Sequence, residues 1–135
     1  INSRIIMWLH EGKYELINFD TESSINKLPT VLSSFLSNAN KSDLITIGGH
    51  SHTHSILSYL GTKQLNYEID KSLELLDKKA DVQSLHYSYP EGLEHCYSDN
   101  VINELKKRGV RCCPTAISGT NNALDDLFYL KRIMI

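Results

Sequence analysis

Leu44-Ile45-Thr46-Ile47-Gly48-Gly49-His50-Ser51-His52-Thr53-His54 carries both the fold and the chemistry of this chain. Its first half is an apolar run of the length of a buried strand, and the run ends on two glycines. Its second half gathers three of the chain's six histidines into five residues. Imidazole is a frequent ligand of zinc and related divalent metals. Sites in α/β enzymes collect at the carboxyl ends of strands, where these imidazoles stand.

Two geometries fit the histidines. If a helical turn begins just after His50, then His50 and His54 at i, i+4 face one point and His52 projects away. If the stretch stays extended, His50, His52 and His54 share a face and all three can bind. Ser55-Ile56-Leu57-Ser58-Tyr59-Leu60 has a helical pattern, which favours the pair. Two histidines still need a carboxylate and open water positions for metal-assisted hydrolysis. The plainer rival is a polar loop whose imidazoles only hydrogen-bond.

Downstream, Thr62 is placed to cap a helix whose apolar stripe is Leu65, Ile69, Leu73 and Leu76. Asp81-Val82-Gln83 connects it to a second strand, Leu85 to Tyr89, which Pro90-Glu91-Gly92 breaks. Ser98-Asp99-Asn100 starts a second helix carrying Val101, Ile102 and Leu105, and Gly109 ends it. Val110 to Ile117 reads as a third strand, confined by Pro114 to an edge or a short stretch. A polar loop from Ser118 to Asp126 leads to a final strand, Tyr129 to Ile135. Strands alternating with helices predict an α/β fold with parallel strands. A closed barrel of such units takes about 200 residues or more, so 135 residues predict a partial one.

Upstream, short apolar runs flank Gly12, consistent with helix-turn-strand or with a hairpin. Ile25, Leu28, Leu32, Phe35 and Leu36 recur at helical spacing, with Pro29 in the first turn, and residues 37–42 read as a loop. A start at Ile1 suggests a fragment or a processed product. With no signal peptide in view and a start at Ile1 that fits a truncated N-terminus, the location is read as cytoplasmic or unknown.

The net charge of -2 gives no electrostatic case for nucleic acid, and no apolar run approaches the roughly 20 residues of a membrane span. Cys96, Cys112 and Cys113 are odd in number and lack the spacing of a cysteine zinc site. They read as packed or partly exposed thiols in a reducing compartment.

Ser88-Tyr89-Pro90-Glu91-Gly92 is the second constellation, again at a strand's carboxyl end. Pro90 restricts the backbone and Gly92 permits a close approach, so such a loop can aim an N–H into a groove. Read by itself, it is only a strand-ending turn.

Together the two segments resemble the polysaccharide deacetylase family (NodB-homology, carbohydrate esterase family 4). Residues 47–54 are similar to its His-[Ser/Thr]-x-x-His metal motif, and residues 88–92 to its Arg-x-Pro-x-Gly groove wall with Ser88 at the Arg position. Residues 97–109 resemble the helix after that loop in Tyr-Pro-x-Gly members, and residues 130–135 a late Arg-Ile strand. The resemblance implies His50 and His54 as ligands of a divalent metal, zinc first. It implies the Glu91 backbone N–H as oxyanion donor and Tyr89, Pro90 and Gly92 as groove residues. It covers about residues 43–135 and implies one incomplete domain, a partial (β/α) barrel with its N-terminal strands missing. Residues 1–42 are then a helical or irregular insert.

The family's Asp-Asp-Gly, source of a metal-binding aspartate and the catalytic base, has no match; Asp125-Asp126 is followed by Leu127. Its late Leu-x-His is also unmatched. Glu91, His86 and His95 remain as substitute proton carriers. The implied activity is hydrolysis of N-acetyl groups on a polysaccharide or glycan such as a bacterial cell-surface polymer, by a truncated domain inactive alone. The alternative is a noncatalytic carbohydrate-binding or interaction module. An open sheet edge would also allow homo-oligomers.

Overall fold

Residues 3–9, 16–19, 37–39, 41 and 45–133 are described in this computed structural model. The turn at Gly12, the helix from Ile25 to Leu36 and the last two residues of the final strand lie outside the described residues. Three strands form one sheet in the order β2-β1-β3: β1 (Ser3–Leu9), β2 (Leu16–Phe19) and β3 (Ile45–Ile47). The β-branched and aromatic run of β1 suits its central place. It pairs antiparallel with both neighbours, Ile5 opposite Ile17 and Trp8 opposite Thr46. Residues 3–9 and 16–19, expected within a helical or irregular insert, are therefore strands, and of the two alternatives around Gly12 the antiparallel pair is the one formed. Residues 37–39, expected in a loop, are helical.

Beyond β3 the chain runs parallel to later segments, as the alternation of strands and helices predicts. Gly49 N–H donates to His86 O at 3.0 Å, Ser88 N–H to Gly49 O at 2.9 Å, and Tyr87 N–H to Cys112 O at 2.9 Å. The strands expected over residues 85–89, 110–117 and 129–135 are reduced to isolated parallel bridges, Gly49 with Tyr87, His86 with Cys112 and Ser118 with Arg132. Pro90 and Pro114 lack the N–H that a continuous ladder requires. Helix and strand are mixed, and no closed barrel is found among the described residues.

Two helices pack on this strand path. In α1 (Thr62–Ala80), Leu65, Ile69 and Leu76 are buried, while Lys71 and Lys78 pair with Glu74 at 3.3 and 2.7 Å on the outer face. Its N-cap is Gly61 with no side-chain cap, so Thr62 is the first helical residue rather than the cap. Asp81 at φ 54 closes it, and Val82 N–H reaches back to Leu76 O at 3.1 Å. In α2 (Asp99–Lys107) the Ser98 side chain does cap, accepting from Val101 N–H at 3.4 Å, and Gly109 at φ 82 ends the helix as expected. Arg108 ties the helices together, its guanidinium reaching Asp70 of α1 and Glu104 of α2. The core joins Leu65 and Ile69 to Tyr87, Tyr89, Val101, Leu105, Cys113 and Phe128. Fully burying one such side chain contributes about 1.5–3 kcal/mol. The helices thus hold the odd-numbered face of residues 87–89, which leaves Ser88 for the opposite side.

Candidate functional site

Gly49 decides where His50 stands. A Cβ on Gly49 would lie 2.4 Å from Cε2 of Tyr87, so only glycine lets the two segments approach this closely. With that register His50, buried, meets Ser88: Nδ1 is 2.9 Å from the Ser88 carbonyl and 2.8 Å from its hydroxyl. A carbonyl oxygen only accepts, so the 2.9 Å contact is a hydrogen bond in the tautomer whose Nδ1 carries the hydrogen, the one that leaves the lone pair on Nε2. Ser88, at the position of the family's arginine, orients the first histidine of the motif.

The segment after His50 is not the helical turn expected from the spacing. Ser51 at φ 57 and His54 at φ 62 are left-handed, and helical structure resumes only as a 3-10 turn at Leu57–Tyr59. Tertiary hydrogen bonds hold this conformation against its local cost. Glu68 of α1, 2% exposed, accepts from His52 N–H at 2.9 Å, Thr53 N–H at 2.8 Å and the Thr53 hydroxyl at 2.8 Å. Tyr87 Oη accepts from Ser51 N–H at 2.7 Å and shares a hydrogen bond with Ser72 at 2.9 Å. The result brings the rings of His50 and His54 to 4.9 Å at 60°. The His52 ring sits edge-on against Tyr67 of α1, 5.9 Å away. The three imidazoles therefore do not line one extended face.

Among the residues of the second constellation, Tyr89, Pro90 and Gly92 are all buried. Tyr89 stacks on Tyr97 at 4.8 Å and donates to the Phe128 carbonyl at 3.1 Å. Its side chain thus belongs to the core and not to a groove wall, because strand alternation turns Tyr87 and Tyr89 toward the helices. Burial pushes both phenols well above the usual tyrosine range, which keeps them protonated donors. Pro90, Glu91 and Gly92 make a three-residue turn closed by Gly92 N–H to Pro90 O at 2.7 Å. Glu91 at its apex has φ 61, a strained value for a residue with a Cβ. A Cβ on Gly92 would stand 2.7 Å from Ala116 N, whose N–H donates to the Gly92 carbonyl at 2.7 Å. Glu91 is exposed, and its amide donates to no acceptor among the described residues.

The other expected proton carriers fall elsewhere. His86 lines a cavity with Gly48, Ser88, Cys112 and Pro114, and partial burial lowers its pKa. His95 stacks on Tyr59 at 5.9 Å. Sequence reasoning missed two things. One is Glu68, signalled only as an acid on the apolar stripe of α1 between Leu65 and Ile69. The other is a cluster of Glu91, His95 and Cys96, whose ligand atoms lie within 4.8 Å of one another. Its signal is the run Glu-x3-His-Cys, read there as separate residues. Among the described residues no further His, Cys, Asp or Glu completes a three-member group with His50 and His54.

The sequence profile of the polysaccharide deacetylase family matches residues 3–113. This chain belongs to the polysaccharide deacetylase family. The match reaches ahead of residue 43, where the resemblance of individual motifs began, and stops short of residues 130–135. Among solved structures, the family member is similar to the Streptococcus pyogenes deacetylase PplD, solved in complex with acetate. The TM-score is 0.59 at 24% identity, over 65% of this chain and 38% of that one, which supports the deacetylase fold. The chain thus spans well under half the length of the solved deacetylase. No curated protein matches it by sequence. No helix of the deacetylase-family chain is long and apolar enough to cross a membrane, among the described residues.

Proposed function

We propose that this chain supplies the histidine pair and the oxyanion turn of a metal-dependent N-deacetylase acting on N-acetylated glycans. The observation that carries the reading is the hold of Ser88 on His50 Nδ1, with the His54 ring 4.9 Å away. A metal-ligating histidine commonly donates its other ring N–H to a carbonyl or carboxylate, which fixes tautomer and ring orientation. That donor chemistry fits a zinc-class ion held by His50 and His54; the Asp-Asp-Gly that carries a third ligand in the family has no match in the sequence. Such an ion, when bound, supplies Lewis acidity and lowers the pKa of water.

The chain's own residues would do the following. Ser88 fixes the His50 ring through Nδ1 and leaves Nε2 as its ligand atom. Glu68 and Tyr87 hold the loop that returns His54 beside it. As water attacks the acetyl carbonyl, the Glu91 amide donates to the developing oxyanion; collapse releases acetate and a free amine. The family's Asp-Asp-Gly has no match in the sequence, so the 135 residues alone are expected to turn over slowly or not at all.

Residues 1–135 are read as one domain on a partial (β/α) barrel. Parallel bridges, helices on one face and a cavity of about 650 Å³ on the other support that reading. The test is zinc content by mass spectrometry and acetate release from N-acetylated oligosaccharides, with His50→Ala and His54→Ala as controls. Both variants are expected to lose one equivalent of zinc relative to the unaltered chain; unchanged content in both would sink the proposal. The lack of an Asp-Asp-Gly match in the sequence favours a second reading, a noncatalytic glycan-binding module. It requires glycan binding that survives chelation.

A further inference from the structure

Cys96 is fully buried, yet it is no member of the apolar core built around Leu65, Ile69, Tyr87 and Leu105. Its sulfur instead lies with a carboxylate oxygen of Glu91 and a ring nitrogen of His95, all within 4.8 Å of one another. Glu91 and His95 are exposed, so the cluster is closed by protein behind the thiol and open to solvent in front. We propose that Glu91, His95 and Cys96 form a second divalent-cation site of the zinc type, separate from the His50–His54 pair.

The donor set is the first argument. Thiolate, imidazole and carboxylate together select zinc-like ions over magnesium or calcium, and three protein ligands leave a fourth tetrahedral position for water. Ligand bonds of about 2.0–2.3 Å place donor atoms roughly 3.5 Å apart, so the cluster must contract by about 1 Å. Glu91 is an exposed side chain that can rotate inward, while Cys96 stays fixed. Binding would release the Cys96 proton to solvent, and the cation would compensate a thiolate too costly to bury unpaired.

The second argument is that the three ligands are already presented from a braced segment. His95 is held from two directions, its ring stacked on Tyr59 and its carbonyl accepting from the Ser58 hydroxyl. Cys96 N–H closes its 3-10 turn on Leu93 O at 2.8 Å. Gly92 is tied to Ala116 on the other side of Glu91. An ion here would clip the strained turn at Glu91 to the 3-10 turn that follows. On the deacetylase reading it would thereby steady the Glu91 amide; the cation site itself does not depend on that reading.

Cobalt(II) titration of the whole chain tests this, because a cysteine ligand gives a thiolate-to-cobalt charge-transfer band that histidine and carboxylate do not. The band is expected to saturate at one equivalent, to persist in the His50→Ala/His54→Ala double variant and to vanish in Cys96→Ser. Because Cys96 is buried, the exposed substitutions Glu91→Gln and His95→Ala provide a second check. Each should weaken zinc competition by more than the roughly tenfold cost of losing an outer-shell partner, with unchanged circular dichroism. Absence of the band in the unaltered chain would overturn the proposal. So would a band that survives Cys96→Ser, one that disappears with His50 and His54, or unchanged affinity in both exposed variants. Zinc lost at His50 and His54 with the cobalt band intact would leave the two sites independently assigned.

Discussion

Glu68 and Thr53 meet twice: Oε2 accepts the Thr53 backbone N–H at 2.8 Å, and Oε1 accepts the Thr53 hydroxyl, also at 2.8 Å. A third donor, His52 N–H, reaches Oε2 at 2.9 Å. One buried carboxylate on α1 therefore satisfies the amides of a loop that has no secondary structure to satisfy them. It does so between two left-handed residues, Ser51 and His54.

Glu68→Ala should consequently cost about 1–3 kcal/mol, because the His52 and Thr53 backbone amides lose their buried acceptor. Urea denaturation measures the loss. Histidine NMR signals of His50 and His54 should broaden or shift together. A variant as stable as the parent would mean that the loop holds its shape without the carboxylate.

Ser88→Ala removes the hydroxyl at 2.8 Å from His50 Nδ1 but keeps the carbonyl at 2.9 Å. On the metal proposal, zinc affinity should fall by about tenfold, the lower end for an outer-shell partner. Isothermal titration would read this directly, and no change would assign the orientation of His50 to the carbonyl alone.

Gly49→Ala should be much more damaging than Gly48→Ala. The new Cβ would stand 2.4 and 2.5 Å from two Tyr87 ring carbons in the first case, and 3.1 Å from the His86 carbonyl oxygen in the second. Moving the Tyr87 ring also disturbs its hydrogen bond with Ser51. A loss of about 1–3 kcal/mol is expected for Gly49→Ala. Equal urea midpoints for the two variants would contradict the packing.

Stability should fall as pH rises above about 9. Burial raises the thiols of Cys112 and Cys113 above their ordinary 9.0 and the phenols of Tyr87 and Tyr89 above their ordinary 10.0. The unfolded chain then releases protons that the folded chain retains. Folding is favoured fully below those ordinary values and progressively less above them. Thermal midpoints measured between about pH 8 and pH 10.5 should decline steadily, and a flat profile would contradict this.

Much of the helical architecture was legible in the order of residues. The stripe Leu65, Ile69, Leu73, Leu76, the Ser98 cap and the Gly109 stop all act over a few positions, and α1 and α2 follow them. The Thr62 cap failed because Gly61, in extended conformation, occupies that position. The strands at residues 85–89 and 110–117 were read from apolar runs that do exist. Pro90 and Pro114 nevertheless reduce them to single parallel bridges.

The sequence alone determined that His50 and His54 stand at a strand end, four positions apart, with a Pro-Glu-Gly turn further on. It could not decide how the histidines come together. Helical spacing predicted a helical turn, whereas a loop with two left-handed residues forms, held by a carboxylate 15 positions from Thr53. His50 and Ser88, whose contact orients the ring, are 38 positions apart. Local patterns encode periodicity and caps because those interactions span about one turn. Buried polar partners depend on strand register and helix packing, where a shift of one residue reverses every side chain.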